Sequence, residues 1–184
     1  RAASVAPDIV SLNAAIFACD RAGNWQQALL LFSEMDAWDV KPDVISFNTA
    51  ISACKNSGQW QRAVLFLVDM SSDSMLPNLI SFNSIISACE KGGHWEEALS
   101  VLERMRASLL APDVISLSTV ISACGKGKQW QRALQMIQEM RLSDVKPNTF
   151  TFSAAISACE KGVQWEQALS LLEVMRADRV KPNE

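Results

Sequence analysis

The sequence predicts an all-α protein, a superhelical α-solenoid of helix-turn-helix repeats, on three observations. A 35-residue period runs through the 184 residues. Each period holds two stretches in which apolar residues recur at steps of three and four, the spacing of one helix face. The composition, with 49% hydrophobic and 20% charged residues, is that of a folded chain. Repeats of this length indicate units that bury their apolar faces against their neighbours.

The period is marked by residue types that recur in phase. The in-phase residues are Pro7, Pro42, Pro77, Pro112, Pro147 and Pro182; Trp25, Trp60, Trp95, Trp130 and Trp165; and Cys19, Cys54, Cys89, Cys124 and Cys159. Only Trp38 among the tryptophans is out of phase. We therefore divide the chain into repeats at 9–43, 44–78, 79–113, 114–148 and 149–183, with residues 1–8 as the tail of a preceding repeat. This division predicts that the chain is a segment of a longer array.

The second repeat shows why each unit should contain two helices. Asp43 stands where it can cap a helix that begins at Val44. The Asn-Ser-Gly run at 56–58 breaks that helix. A second apolar face begins at Trp60, and Pro77 prevents its continuation. We expect ten main helices, first helices that line a concave face, tryptophans in the cores of the second helices, and buried, unpaired cysteines.

Composition excludes several classes of function. The formal net charge is −3, so the protein is not a globally basic nucleic-acid binder, although a local basic stripe remains possible. No apolar stretch approaches the roughly 18 residues of a membrane span, so we expect no membrane insertion. One His, no Tyr and the absence of any C-x-x-C pair leave little material for catalysis or zinc binding. We therefore expect no enzyme activity, no metal and no cofactor in this chain.

Recurrent short motifs carry a family resemblance. Four of the five first helices open with VISFN, LISFN, VISLS or TFTFS, their ends read like AISACEKG, and three of the five repeats close with KPD or KPN. On these motifs and the 35-residue period, the whole chain resembles the pentatricopeptide repeat (PPR) family, with P-type repeats. Tetratricopeptide repeats are the near alternative, but they have a 34-residue period and their tryptophan lies in the first helix. Here the tryptophan lies in the second.

The resemblance implies sequence-selective binding of single-stranded RNA. Each repeat would read one base, and the fifth and last residues of the repeat would together select it. The implied base-selecting residues are Asn13 with Asp43, Asn48 with Asn78, Asn83 with Asp113, Ser118 with Asn148, and Ser153 with Asn183. These pairs resemble those for uracil, cytosine or uracil, uracil, adenine and adenine, which predicts the preference 5′-U(C/U)UAA-3′. Helix capping alone is the alternative role for the last residue of each repeat.

Two further sets of residues follow from the resemblance. An apolar second residue would clamp the base: Val10, Ile45, Ile80, Ile115 and Phe150. A basic residue near the end of the first helix would contact phosphate: Arg21, Lys91, Lys126 and Lys161. The second repeat departs from this pattern, with Asn56 in phase and Lys55 one residue earlier. Packing between repeats and solvated helix ends are the respective alternatives.

Two functions remain open at this point. The first is RNA binding in a mitochondrion or plastid, where such a protein would stabilise, process or promote translation of transcripts. The second is a protein-interaction scaffold or a structural subunit of a large organellar assembly, with other proteins as partners. A catalytic role would require a domain outside these residues. The charge of the first-helix face separates the two, because RNA requires basic residues beside the base-selecting pairs.

Overall fold

Helices account for nearly all of the regular structure in the computed structural model, which describes residues 7–180. Within that range there are ten α-helices, one 3₁₀ helix at Asp36–Trp38, and no β-strand. The helices are α1 (Ile9–Arg21), α2 (Trp25–Ser33), α3 (Val44–Ser57), α4 (Trp60–Ser72), α5 (Leu79–Gly92), α6 (Trp95–Ala107), α7 (Val114–Lys126), α8 (Trp130–Leu142), α9 (Thr149–Lys161) and α10 (Trp165–Ala177). The predicted all-α class and the ten main helices are confirmed.

Each first helix begins at a reciprocal cap built by its own sequence. At α3, the backbone N–H of Ser46 donates to Oδ1 of Asp43 (2.8 Å), and the backbone N–H of Asp43 donates to the Ser46 hydroxyl (3.1 Å). This arrangement satisfies two backbone groups that the helix itself leaves without partners. The same exchange recurs at the starts of α1, α5, α7 and α9. Capping by the last residue of the repeat is therefore part of the fold.

Each repeat has two backbone positions in the left-handed region. One follows the second helix and is occupied by non-glycine residues with φ of 55–59°, at Asp39, Ser74, Leu109, Asp144 and Arg179. The other lies between the two helices, where Gly23, Gly58 and Gly93 adopt positive φ. In the last two repeats this turn is made by Lys128 and Val163. A β-branched residue there is strained, because its Cβ crowds the backbone.

The chain divides into two compact units, residues 1–88 and 89–184, and the division falls within α5. In the first unit, α1 packs against α2 and α3, and α3 packs against α4. Ile51, Leu67 and Met70 are fully buried there. In the second unit the closest packing joins α7 and α9. Gly125 permits that approach, because a Cβ at this position would lie 3.2 Å from the Ala158 Cβ.

Trp95 and Trp130 on the second helices lie against the next repeat. A Cβ on Gly127 would come within 2.1 Å of the Trp95 ring, and a Cβ on Gly162 within 2.4 Å of the Trp130 ring. Each ring thus covers the first-helix end of the next repeat and stays half-buried. Trp165 is 67% exposed. Trp25 packs against the buried cluster that includes Ala28 and Ala53. The predicted core position is therefore wrong for Trp165, and for the half-buried tryptophans it leaves out the contact with the next repeat, because helical phase alone does not distinguish a core from a junction between neighbours.

The cysteines occupy one position in each first helix, and all five are free thiols. Four of them are buried, whereas Cys19 is half-buried because α1 contacts only α2 and α3 among the described helices. Burial raises the pKa of Cys54 and of Cys89 to about 12 and that of Cys124 to about 11. These thiols stay protonated at neutral pH and act as small apolar core groups.

Candidate nucleic-acid interface

The first unit brings two of the predicted base-selecting pairs into contact. The amide of Asn13 on α1 donates to Oδ1 of Asp43, the cap of α3, at 3.3 Å. One repeat later, the amide of Asn48 lies 3.5 Å from Oδ1 of Asn78, the cap of α5. Residues 30 positions apart therefore meet because consecutive first helices pack side by side. In this unit the fifth and last residues of a repeat are therefore in side-chain contact, and this contact is independent of any ligand.

Hydrogen bonding determines the charge state of Asp43. Burial alone would raise the pKa of this carboxyl, but hydrogen bonds from the Ser46 backbone, the Ser46 hydroxyl and the Asn13 amide outweigh it and hold the pKa below its usual value. Asp43 is therefore an anionic acceptor at neutral pH. The carbonyl oxygen of Asn13 is buried and has no hydrogen-bond partner among the described residues. A donor on a ligand would satisfy this unpartnered acceptor beside the carboxylate, but it could reach the oxygen only after a local rearrangement.

A hydroxyl that the sequence reasoning did not single out joins these pairs. The Ser81 hydroxyl donates to Oδ1 of Asn48 at 2.6 Å, and the Thr151 and Ser118 hydroxyls lie 2.6 Å apart. Both hydroxyls belong to the third residue of a repeat, whose equivalents Ser46 and Ser116 are also fully buried. Ser81 and Thr151 therefore each link the cap of their own helix to the fifth residue of the preceding repeat. The recurrent Ser or Thr in the third place of the VISFN-type opening was the available signal.

The predicted base-selecting residues of the second unit differ from those of the first in burial and hydrogen bonding. Ser118 is only 2% exposed, and its hydroxyl is bonded to Thr151, whereas Ser153 and Asn148 are exposed. Asn83 and Asp113 fall in different units: Asn83 is half-buried on α5, and Asp113 caps α7. Asn183 lies outside the described residues. A base could reach Ser118 only after local rearrangement.

The five predicted clamp residues form a repeated exposed apolar position. Each lies in the first turn of its first helix, three residues before the fifth position and therefore on the same helix face. Their exposed fractions are high for aliphatic and aromatic side chains: Val10 71%, Ile45 62%, Ile80 64%, Ile115 59% and Phe150 53%. Exposure of this degree argues against the alternative that these residues serve inter-repeat packing.

The predicted phosphate residues are exposed, but they are not equivalent. Lys126 forms an ion pair with the Glu90 carboxylate at 2.9 Å and also donates to the Glu90 backbone carbonyl at 3.0 Å. At the matching junction of the first unit, the Asn56 amide donates to the buried carboxylate of Asp20 at 2.6 Å. The departure of the second repeat from a basic residue thus accompanies a pairing with Asp20. The local positive charge is smaller than the residue types suggest.

Metal-binding clusters and membrane-spanning helices were the two remaining features to look for in the part of the chain that the structure describes. Residues 7–180 contain no group of three or more His, Cys, Asp or Glu side chains placed to hold a metal ion. None of the helices in that range has the length and apolar character needed to cross a membrane.

Fold and site together define an α-helical repeat protein in which consecutive first helices join a polar residue of one repeat to the cap of the next. Three family profiles match it: "Pentatricopeptide repeat domain" at residues 2–56 and 29–92, "PPR repeat family" at 77–126 and 112–161, and "PPR repeat" at 150–180. The chain belongs to the pentatricopeptide repeat family. No curated protein sequence matches it.

Plant proteins are among the solved structures that share this fold. The crystal structure of PPR10 from maize is 27% identical, with a TM-score of 0.76 over 97% of this chain and 26% of that one. PPR10 in complex with an 18-nt psaJ RNA element is 23% identical, with a TM-score of 0.79 over 95% of this chain and 26% of that one. The PPR domain of Arabidopsis thaliana PRORP1, in complex with tRNA, is 17% identical, with a TM-score of 0.77 over 94% of this chain and 91% of that one. The present chain spans about a quarter of the length of PPR10.

Proposed function

We propose that this chain binds single-stranded RNA in a sequence-selective manner, one base to each repeat. The contact between Asn13 and Asp43 is the observation that carries the proposal. It places an amide and an anionic acceptor side by side, and the exposed side chain of Val10 lies three residues before the amide. Amide and carboxylate groups can match the donor and acceptor pattern of a Watson–Crick edge, and an apolar side chain can cover the face of the base.

Family membership supports the same proposal. PPR10 and the PPR domain of PRORP1 are each described in complex with RNA. Lys91, Lys161 and Arg21 are exposed at the ends of their first helices, where they could neutralise phosphates. We propose in addition that the protein acts in a mitochondrion or plastid, by occupying RNA and not by catalysis within these repeats.

The preference 5′-U(C/U)UAA-3′ is the most specific part of the proposal. In the first repeat, the Asn13 amide and its unpartnered carbonyl oxygen would meet the edge of uracil, with the carboxylate of Asp43 holding the amide in place. In the second repeat, Asn48 and Asn78 would select a pyrimidine. The proposed preference is hardest to reconcile with the structure at Ser118, because this residue is buried. Its hydroxyl must leave Thr151 or contact the base indirectly, for example through water.

Reciprocal exchanges of the fifth residue test the code. Asn48→Ser should move the second base from a pyrimidine towards adenine, because the pair then matches Ser118 with Asn148. Ser118→Asn should move the fourth base from adenine towards a pyrimidine. Competition binding with five RNAs, each varied at one position, measures both. A good polar contact discriminates by about 1–3 kcal/mol in comparable base contacts, so preferences should change about 10- to 100-fold at the altered position alone.

The outcomes of this exchange are clear. A preference that changes at one base and leaves the other four alone supports the code. Equal binding of all five RNAs by both variants and by the original protein would overturn it, and the scaffold function would become the better account. A matched control is Lys161→Glu, which should weaken every RNA alike and reduce the salt dependence of binding.

A further inference from the structure

The second helices of the first unit carry an apolar groove that RNA binding does not use. The groove has a volume of about 630 Å³ and lies between α2 and α4. It is lined on one side by Leu29, Leu30 and Phe32 and on the other by Leu65 and Phe66. None of these residues belongs to the first helices, which hold the base-selecting residues.

The floor of the groove is rigid, and its rim is exposed. Phe32 and Phe66 pack edge to face with ring centroids 5.0 Å apart, and Phe32 makes the same contact with the buried Phe47. At the rim, Leu30 is 47% and Leu65 61% exposed. An aromatic floor that is held from below, with aliphatic side chains standing beside it, is a typical surface for contact with another protein.

Two opposite charges stand at the ends of this surface on α4. The Arg62 guanidinium lies over the Trp25 ring, 5.4 Å from its centroid, which holds the side chain at the rim. Asp69 lies seven residues later, two helical turns or about 10 Å along the same face. Neither side chain forms an ion pair within the described residues. The order along α4 is therefore cation, apolar centre, anion.

A second α4 helix in the antiparallel orientation presents complementary charges to the first. If two α4 helices pack antiparallel about a two-fold axis near Leu65 and Phe66, Arg62 of each copy meets Asp69 of the other. Leu65 of each copy then enters the groove of its partner. An interface in which the same patch serves both subunits is the usual form of a symmetric homodimer. We propose that the occupant of this groove is a second copy of the chain, docked through antiparallel α4 helices.

The corresponding helices of the second unit lack this surface. Leu65 corresponds to Ser100 on α6 and Gln135 on α8, and Val68 corresponds to Glu103 and Gln138. Leu169 and Leu172 on α10 are exposed, but at phases that are covered in the earlier repeats, so they do not reproduce the pattern of α4. The second unit therefore supplies the matched substitutions for a test.

Sedimentation velocity of the whole chain, over a wide range of concentration and without RNA, tests the pairing. We expect a reversible monomer–dimer equilibrium. Leu65→Gln combined with Val68→Gln copies repeat four onto repeat two and should weaken dimerisation at least tenfold. Arg62→Asp and Asp69→Arg should each weaken it, because each leaves two like charges facing one another in the pair. The double exchange Arg62→Asp with Asp69→Arg should restore it, because both ion pairs re-form with reversed sign.

Controls separate folding and RNA binding from association. Gln135→Leu adds a surface leucine at the matched position of α8 and should leave dimerisation unchanged, because α8 lacks the rest of the groove. Circular dichroism establishes that each variant is folded. RNA binding should survive Leu65→Gln, so a failed dimer and a failed RNA code are distinguishable. A chain that stays monomeric at every concentration would overturn the proposal, and so would a dimer indifferent to Leu65→Gln or one that the double exchange does not restore. A monomeric chain whose groove binds an amphipathic helix would assign the surface to another protein.

Discussion

The second helices of the two units share one period and differ in surface chemistry. In the unit of residues 1–88, α2 and α4 expose Leu30, Leu65 and Val68. In the unit of residues 89–184, Arg106 on α6 pairs with Glu103 at 2.7 Å and also with Glu139 on α8. The repeat therefore specifies the residues that pack inside each unit and leaves the outward positions free to vary. Outward positions are where two parts of one array can acquire different partners.

The largest effect is expected at a junction that only the second unit closes with glycine. Gly127→Ala places a Cβ within 2.1 Å of the Trp95 ring, so the ring must move. We expect a loss of about 1–3 kcal/mol in the free energy of unfolding, measured by urea denaturation. The matched position of the first unit already has a side chain, and Ser57→Ala should change stability by less than about 0.5 kcal/mol. Similar losses at both positions would show that the two junctions do not differ.

A smaller and opposite effect is expected in the turn between the helices. Val163 has φ of 57°, whereas Gly23 and Gly58 make the same turn in the first unit. Val163→Gly should stabilise the protein by about 1 kcal/mol, because it relieves left-handed strain that outweighs the added freedom of glycine in the unfolded chain. Gly23→Val should destabilise by a similar amount, although no atom lies within 4 Å of the added Cβ. Thermal denaturation measures both, and a Val163→Gly variant less stable than the original would contradict the strain.

The ion pair between α6 and α8 should contribute less. Arg106 and Glu139 are about 30% exposed, so a double-mutant cycle with Arg106→Ala and Glu139→Ala should give a coupling of about 0.5–1 kcal/mol. The coupling should fall as salt is raised. A coupling that is absent at low salt would mean that charge pairing does not distinguish this face from that of α2 and α4.

The smallest effect concerns the caps, which are anionic at Asp43 and neutral at Asn148. The pKa of Asp43 is below its usual value of 3.8 in the folded chain. Its contribution is therefore present above the pKa of the unfolded chain and is lost as the pH falls through the lower, folded pKa. Asp43→Asn should make the fall in melting temperature between about pH 5 and about pH 3 shallower. Asn148→Ala, which removes a neutral cap, should leave the slope unchanged.

Local patterns were enough to predict the helices, because each first helix begins at a side-chain cap and each second helix begins at a tryptophan after a short polar turn, both visible within a few residues. Local patterns did not predict features that depend on a neighbouring repeat. The burial of Ser118 depends on Thr151, the pairing of Lys126 depends on Glu90, and the place of Trp95 depends on Gly127. These partners are 32 to 36 residues apart, and a periodic sequence gives every repeat the same expectation. Individual differences between junctions become visible only when both sides are placed together.

If the proposed code holds, the buried third-position hydroxyl would make base recognition and folding depend on the same bonds. Ser81 belongs to the start of α5, yet its hydroxyl bonds to Asn48 of the preceding repeat, and Thr151 does the same for Ser118. Under that code, a change of the fifth residue in one repeat would alter the beginning of the first helix in the next repeat. A new base preference would then have to be accommodated by the C-terminal neighbour. Specificity in such a protein would evolve most readily by exchanging a fifth residue together with the third residue of the following repeat.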